Sequence, residues 1–299
     1  MKLRIFQKGF NYSQDGQGNR LVYHLQGCNM HCPWCANPEG MPPEGALYVD
    51  KDWLSPKLCP HGAIREETDA AGYRLDREQC RQCQSRECIG SRHKGIHLSC
   101  EEVSLETVYE EIVRSRPMFY DGGGVTFTGG EATLQFEPLK ALLVRVKEAG
   151  IHTALETNGA NPRLPELFPY IDQLIMDCKH WEEHKHLKYT GVPFKTVRQN
   201  LFLAVREHGQ LDIRIPLVGG VNDSEEDMQG FIALFRELLR ENEDGPITVE
   251  ILKYHEFGKN KWSACGLEYQ MTQDAQVSAE QVQLFRQKLI EGGLVYKKS

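Results

Sequence analysis

Three closely spaced cysteines carry the first chemical signal of this chain. Cys28, Cys32 and Cys35 stand in the run Gly27-Cys28-Asn29-Met30-His31-Cys32-Pro33-Trp34-Cys35, a C-x3-C-x2-C spacing. Thiolates are the ligands of iron–sulfur clusters. Three of them can hold a four-iron cubane and leave one iron open, and an open iron on a redox cluster is a place to bind and reduce a substrate. The uneven gap suits a short loop wrapped around a cubane corner. Zinc ribbons present two even C-x2-C pairs instead, and here only His31 stands at local spacing as a fourth zinc ligand.

The chain has ten cysteines in 299 residues, and eight of them fall between Cys28 and Cys100. Cys178 and Cys265 stand apart and read as packing residues. The Lys2-to-Phe10 stretch is too short and polar for a secretory signal. The expected setting is therefore reducing and cytoplasmic, where metal or cluster ligation explains clustered cysteines better than disulfides. No apolar run reaches the ~18 residues of a membrane span. A net charge of −7 argues against nucleic acid as the main partner.

The elements that must position these groups follow from periodicity. Leu21 to Leu25 reads as a strand that delivers the chain into the cysteine loop. Residues 45–101 are polar, turn-rich and cysteine-rich, with little helical periodicity. Ser104 is a plausible N-cap for a helix burying Leu105, Val108 and Ile112. Gly124 to Thr128 reads as a strand, and Glu137 to Glu148 as a helix stopped by Gly150. Strands follow at His152 to Glu156, Gln173 to Cys178, Leu211 to Leu217 and Ile247 to Leu252. Between them lie a helix from Phe194 to His208 closed by Gly209, and one opened by Ser224 with Asp227. Ser278 with Gln281 resembles a capping box for a last helix. About six strands separated by helices or crossovers make an α/β chain with a parallel sheet. In parallel barrels functional groups sit at the strands' C-terminal ends, and there stand the cysteine loop, Gly129-Gly130-Glu131 and Glu156-Thr157-Asn158.

These motifs, in this order, resemble the radical S-adenosylmethionine enzymes, and more closely their glycyl-radical-enzyme activating branch. Trp34 takes the aromatic place of the cysteine signature. Asp15-Gly16-Gln17-Gly18-Asn19-Arg20 is similar to the activases' D-G-P-G-x-R, with Gln17 where proline is usual. Tyr254-His255-Glu256-Phe257-Gly258-Lys259-Asn260-Lys261-Trp262 resembles their Y-H-x-x-G-x-x-K-[WY]. The resemblance implies a partial (β/α)6 TIM-like barrel over 1–44 and 102–299. It implies a 4Fe–4S cluster on Cys28, Cys32 and Cys35 whose open iron is chelated by the amine and carboxylate of S-adenosylmethionine. One electron then splits the cofactor, and the 5′-deoxyadenosyl radical takes a hydrogen from a glycine of a partner enzyme. The expected partners are a glycyl radical enzyme and, as electron donor, a flavodoxin or ferredoxin, with neither nucleic acid nor membrane.

The same resemblance assigns cofactor contacts to Asn37, Gly129, Gly130, Glu131, Glu156, Thr157, Asn158, Asp177, Lys179, Arg214 and His255. Glycines allow close backbone approach, and Glu131 can accept from an ammonium. Asp177 and Lys179 share one face by period-two spacing and could pair with a bound amino-acid moiety. A guanidinium at Arg214 suits the cofactor carboxylate. Glu156 replaces the usual Asp of D-T-N-G, which weighs against the monovalent cation some activases bind there. Asp15 is expected to help hold the partner's glycine loop. In 45–101, Cys59-Pro60-His61-Gly62-Ala63-Ile64 looks like the end of a bacterial ferredoxin motif, and Cys80-x2-Cys83-x4-Cys88 like a loosened second one. The resemblance makes this a ferredoxin-like insert with one auxiliary 4Fe–4S cluster on Cys59, Cys80, Cys83 and Cys88, with Cys100 spare or substitute. A zinc site using these thiolates or His93 and His97 is the competing reading. For the whole chain the rivals are a radical enzyme acting on a small molecule or another peptide, and a non-catalytic electron carrier or zinc module.

Overall fold

The computed structural model describes residues 1–67, 72–85, 87–90, 94–208, 210–242 and 247–296. The chain opens with β1 (Lys2–Tyr12), which turns back as β2 (Asn19–Leu25). Residues 45–101 then supply β3 (Leu47–Val49), β4 (Ile64–Glu66), β5 (Tyr73–Leu75), the short helices α1 (Arg77–Arg81) and α2 (Glu87–Gly90), and β6 (Ile96–Leu98). Next come β7 (Glu101–Ser104), α3 (Leu105–Arg114), β8 (Gly124–Gly129), α4 (Phe136–Glu148), β9 (Thr153–Thr157) and β10 (Gln173–Asp177). The chain continues through α5 (Glu183–Thr190), α6 (Phe194–Glu207), β11 (Leu211–Leu217), α7 (Glu225–Glu241) and β12 (Ile247–Lys253). It closes with α8 (Lys259–Ala264), α9 (Ala279–Glu291) and β13 (Val295–Tyr296).

Nine strands form one sheet in the order β13-β12-β11-β10-β9-β8-β2-β1-β7. From β2 through β8, β9, β10, β11 and β12 to β13 every pairing is parallel. β1 and β7 are added antiparallel at one edge. Parallel strands covered on both faces read as near-continuous apolar runs, and Leu174, Ile175 and Met176 of β10 are all fully buried. Sheet and helices share one large core, to which α4 contributes Leu139, Leu142, Leu143 and Val146.

Local chemistry sets the helix ends. Ser104 accepts from the Thr107 N–H at 3.1 Å and caps α3. Ser224 with Asp227 and Ser278 with Gln281 form reciprocal capping boxes for α7 and α9. Gly150, just past α4, takes φ +66°, a conformation glycine adopts without strain. Gly209, the expected stop of α6, lies outside the described residues.

β1 is absent from the sequence expectations. Its Leu3 and Ile5 alternate inward, but Gln7 to Phe10 are exposed, so only its first half carries a two-residue period. Residues 45–101 form two small antiparallel pairs, β3 with β6 and β4 with β5, around their own core of Val49, Leu54, Ile64 and Ile96.

Candidate functional site

The loop after β2 brings Cys28, Cys32 and Cys35 to one cavity of about 220 Å³ at the C-terminal ends of the parallel strands. Gly129, Gly130, Glu156, Asn158, Asp177, Lys179 and His255 line the same cavity, so seven of the expected contacts converge with the three thiols. Backbone N–H groups of Met30 and Asn37 point at the sulfurs of Cys28 and Cys35, each at 3.4 Å. Burial pushes the Cys28 and Cys32 thiols up to about 12 and raises Cys35 too. Thiolates here therefore need a bound cation for balance, and metal binding would release their protons. Among the described residues no three Cys, His, Asp or Glu side chains close around one point as the ligands of a single metal ion would. The three thiols share one cavity wall, and backbone N–H groups lie on the sulfurs of two of them.

Lys179 donates to Asp177 at 2.8 Å on the cavity wall. Burial opposes the ammonium's charge, but Asp177 and then Cys32 outweigh it, and the pKa is raised. Asn158 donates to the Asn29 side chain at 2.8 Å, which ties the loop after β9 to the cysteine loop. His255 is exposed at the rim, its Nδ1 accepting from the Phe257 N–H at 3.4 Å. Gly129 and Gly130 meet protein backbone first. A Cβ on Gly129 would lie 2.3 Å from the Leu25 backbone, and one on Gly130 2.3 Å from the Gly27 carbonyl oxygen. Their smallness lets the end of β8 seat the start of the cysteine loop.

Several expected contacts are placed differently. Arg214, expected on a cofactor carboxylate, is buried and spent on the protein itself. It donates to Glu156 at 2.5 Å, to Glu250 at 2.8 Å, and to the Gln14 carbonyl. Burial opposes its charge, but the two carboxylates outweigh that and raise its pKa. Glu131, expected to accept an ammonium, is buried behind the wall. It accepts from the Thr133 N–H and hydroxyl, from the Thr157 hydroxyl at 2.7 Å and from the Asn158 N–H at 2.7 Å. Thr157 is buried with it, off the cavity wall. Asn37 is also off the wall, its side-chain oxygen accepting from Lys261 at 2.8 Å. Asp15 is off the cavity wall, in the loop that precedes β2 and enters from the strands' N-terminal ends, while its neighbour Gln14 bonds Arg214, which pairs with Glu156 on that wall. The Asp15 carbonyl accepts from Thr126 and its carboxylate from Asn11.

Cys59, Cys80, Cys83 and Cys88 line a second cavity of about 250 Å³ in the insert. Cys265, read from sequence as a packing residue, is on that wall as well, brought there by the turn after α8. Cys178 is fully buried in the main core. Cys100 is off the insert cavity, its sulfur 3.9 Å from the Glu44 carbonyl. His97 packs on the Tyr48 ring, and His93 lies outside the described residues.

Sequence reasoning quoted the Tyr254-to-Trp262 segment but missed what its second half does. Trp262 donates to the Cys35 carbonyl at 2.9 Å, and Lys261 bridges Asn37 and Glu39. Glu250 and Gln14, which complete the Arg214 network, had no signal in the sequence.

A model of the radical SAM superfamily matches residues 22–232. A choline trimethylamine-lyase activating enzyme from Oleidesulfovibrio alaskensis is 31% identical over 271 residues, covering 85% of this chain and 84% of its own. An indoleacetate decarboxylase activating enzyme from Tractidigestivibacter scatoligenes is 30% identical over 286 residues, covering 91% and 89%. Among solved structures, a radical SAM methyltransferase from Sphaerobacter thermophilus superposes with a TM-score of 0.52 at 13% identity, over 96% of this chain and 67% of that one, a likeness of fold alone. The chain belongs to the radical SAM superfamily and, within it, to the activating enzymes of glycyl radical enzymes. Its activity is the radical-SAM activation of such an enzyme. No helix among the described residues is long and apolar enough to cross a membrane.

Proposed function

We propose that Cys28, Cys32 and Cys35 hold the four-iron cluster and that S-adenosylmethionine fills the rest of the barrel cavity. Held there, the cluster would supply the one electron that reductive cleavage of S-adenosylmethionine needs, giving methionine and, with a hydrogen atom from the partner's glycine, 5′-deoxyadenosine. The observation that carries this reading is the meeting of the three thiols with Asp177, Lys179 and His255 on one wall.

This chain's residues bind and orient. The Gly129 and Gly130 backbone and the Asp177–Lys179 pair are assigned to the amino-acid end of the cofactor, and Asn158 and His255 to its nucleoside. Glu156 is held in place by Arg214, so a monovalent cation would compete there with a guanidinium already paired to that carboxylate, and we assign none. Glu131, Thr157 and Arg214 act as positioning residues behind the wall. Asp15 keeps its assignment to the partner's glycine loop, since its neighbour Gln14 is bonded to Arg214 and so linked to Glu156 on the cavity wall.

Cys59, Cys80, Cys83 and Cys88 are assigned an auxiliary 4Fe–4S cluster, making 45–101 a ferredoxin-like electron module set between 1–44 and 102–299. A flavodoxin or ferredoxin would deliver electrons. The partner falls among the glycyl radical decarboxylases, lyases and dehydratases, the kinds served by its relatives. Anaerobic reconstitution tests this reading. It predicts about eight irons per chain, four at each site, with S-adenosylmethionine altering the electron paramagnetic resonance (EPR) signal of one cluster only. About four irons would remove the auxiliary cluster, and a spectrum indifferent to S-adenosylmethionine would remove the barrel assignment.

A further inference from the structure

One cation on the wall of the insert cavity is held in place without a carboxylate. Arg77, the first residue of α1, lines that cavity beside Cys59, Cys80, Cys83 and Cys88. Its guanidinium donates to the Leu47 carbonyl at 3.1 Å and to the Ala264 carbonyl at 2.5 Å, so β3 and the end of α8 fix its orientation. Gly266 makes room for it, since a Cβ there would lie 2.0 Å from the Arg77 Nε. Both acceptors are neutral, and among the described residues no carboxylate forms an ion pair with Arg77. The neighbouring Asp76 is taken by Arg65 at 3.1 Å. Burial opposes the guanidinium's charge, and the groups that favour it are the Cys265 and Cys80 thiols. The barrel wall is different, because Lys179 there is answered by Asp177 at 2.8 Å.

We propose that Arg77 sets the redox poise of the insert site by favouring the one-electron-reduced state of the cluster assigned to Cys59, Cys80, Cys83 and Cys88. The argument rests on that assignment. Four thiolates around a four-iron cluster make an anionic group, and reduction adds one more negative charge. A partly buried guanidinium that no carboxylate answers stabilises the added charge, because little water screens the two from each other. Net charge and hydrogen bonding around the sulfurs are among the terms that set such potentials. The electron comes from a reduced flavodoxin or ferredoxin, which is oxidised by one electron as the cluster is reduced by one, and no bond forms or breaks. Arg77 thus lets the insert accept that electron at a higher potential. Arg81 lines the same cavity but is exposed, so solvent screens its charge and its effect is smaller.

The test is a redox titration of anaerobically reconstituted protein followed by EPR, with S-adenosylmethionine present to mark the barrel cluster. It compares wild type with Arg77→Gln, Arg77→Lys and Arg81→Gln, and iron content is measured beside it. Arg77→Gln removes the charge and keeps an amide donor for the two carbonyls. It should hold about eight irons, as the wild type does. At a fixed potential its insert cluster should show a roughly tenfold lower ratio of reduced to oxidised form, a fall of about 59 mV for one electron. Arg77→Lys should keep most of the wild-type potential, Arg81→Gln should shift it far less than Arg77→Gln, and the barrel cluster should hold its potential in all three. An unchanged insert potential in Arg77→Gln would overturn the proposal. An equal fall in Arg77→Lys would overturn it too, because the grip on the carbonyls and not the charge would then be at work. So would loss of the insert's iron in Arg77→Gln, which would make Arg77 a brace for the fold. About four irons in the wild type would instead remove the auxiliary cluster on which the proposal rests.

Discussion

The two cysteine-lined cavities are close in size, about 220 and 250 Å³, but differ in what surrounds the thiols. The barrel cavity has three cysteines at the ends of parallel strands, with Lys179, Asp177, Glu156, Asn158 and His255 beside them. The insert cavity has four assigned cysteines, with Cys265 beside them, on short elements, and its walls mix Leu47, Leu75, Ile96 and Leu98 with Arg77, Arg81 and Glu87. A cluster that must bind and cleave a charged cofactor needs an open iron and convergent polar groups. One that only passes electrons, the role proposed for the insert, needs a full set of thiolates. The supports differ too. The barrel loop rests on the main core, and the insert on a core of four buried residues. Burial raises the barrel thiols Cys28 and Cys32 to about 12, and it raises the insert thiols Cys80 and Cys88 as well.

The cavities are also joined. Arg77, at the start of the helix carrying Cys80, donates to the Ala264 carbonyl at the end of α8, and α8 holds the cysteine loop through Lys261 and Trp262. The comparison is sharpest where a change at one site should leave the other intact.

The largest expected effect lies in the barrel. Arg214→Met leaves the buried Glu250 and the partly buried Glu156 without their cation, which should cost about 3–5 kcal/mol of stability. Urea denaturation measures it, and a loss under ~1 kcal/mol would mean that the carboxylates find other partners. Next, Cys83→Ala should lower iron content to that of one cluster while S-adenosylmethionine still shifts the spectrum of the other. Lost cofactor response would show that the insert is a folding element and that the two sites are not separable. The smallest effect is one of pH. Burial pushes His186, on α5 behind the cysteine loop, down to about 4, below its ordinary 6.5. A histidine kept neutral by folding stabilises the protein above its unfolded pKa and loses that contribution as pH falls from about 6.5 toward 4. Between pH 7 and pH 5 the wild type should lose about 2 kcal/mol more stability than His186→Gln. Parallel denaturation curves at the two pH values check this, and equal losses would remove His186 as the cause.

Much of the barrel was legible because its signals are local. Cysteine spacing, capping pairs such as Ser224 with Asp227, and the apolar period of α4 each lie within a few residues. The Arg214 network was not legible, since Gln14, Glu156 and Glu250 come from distant segments that only the sheet brings together. The same holds for Cys265, far in sequence from the insert whose wall it joins. The protein partners of Glu131 and Arg214 were not legible either, because motifs mark positions without saying which way a side chain points. The place of the Asp15 turn was not legible for a related reason, since the turn's sequence does not reveal which end of the barrel it enters.

The most direct test is 5′-deoxyadenosine formation from S-adenosylmethionine by anaerobically reconstituted, reduced protein, compared with Cys32→Ala. The account predicts product from the wild type and none from the variant, even where the variant keeps iron in its insert. Equal product from both would contradict the assignment of the barrel cysteines as the catalytic cluster's ligands.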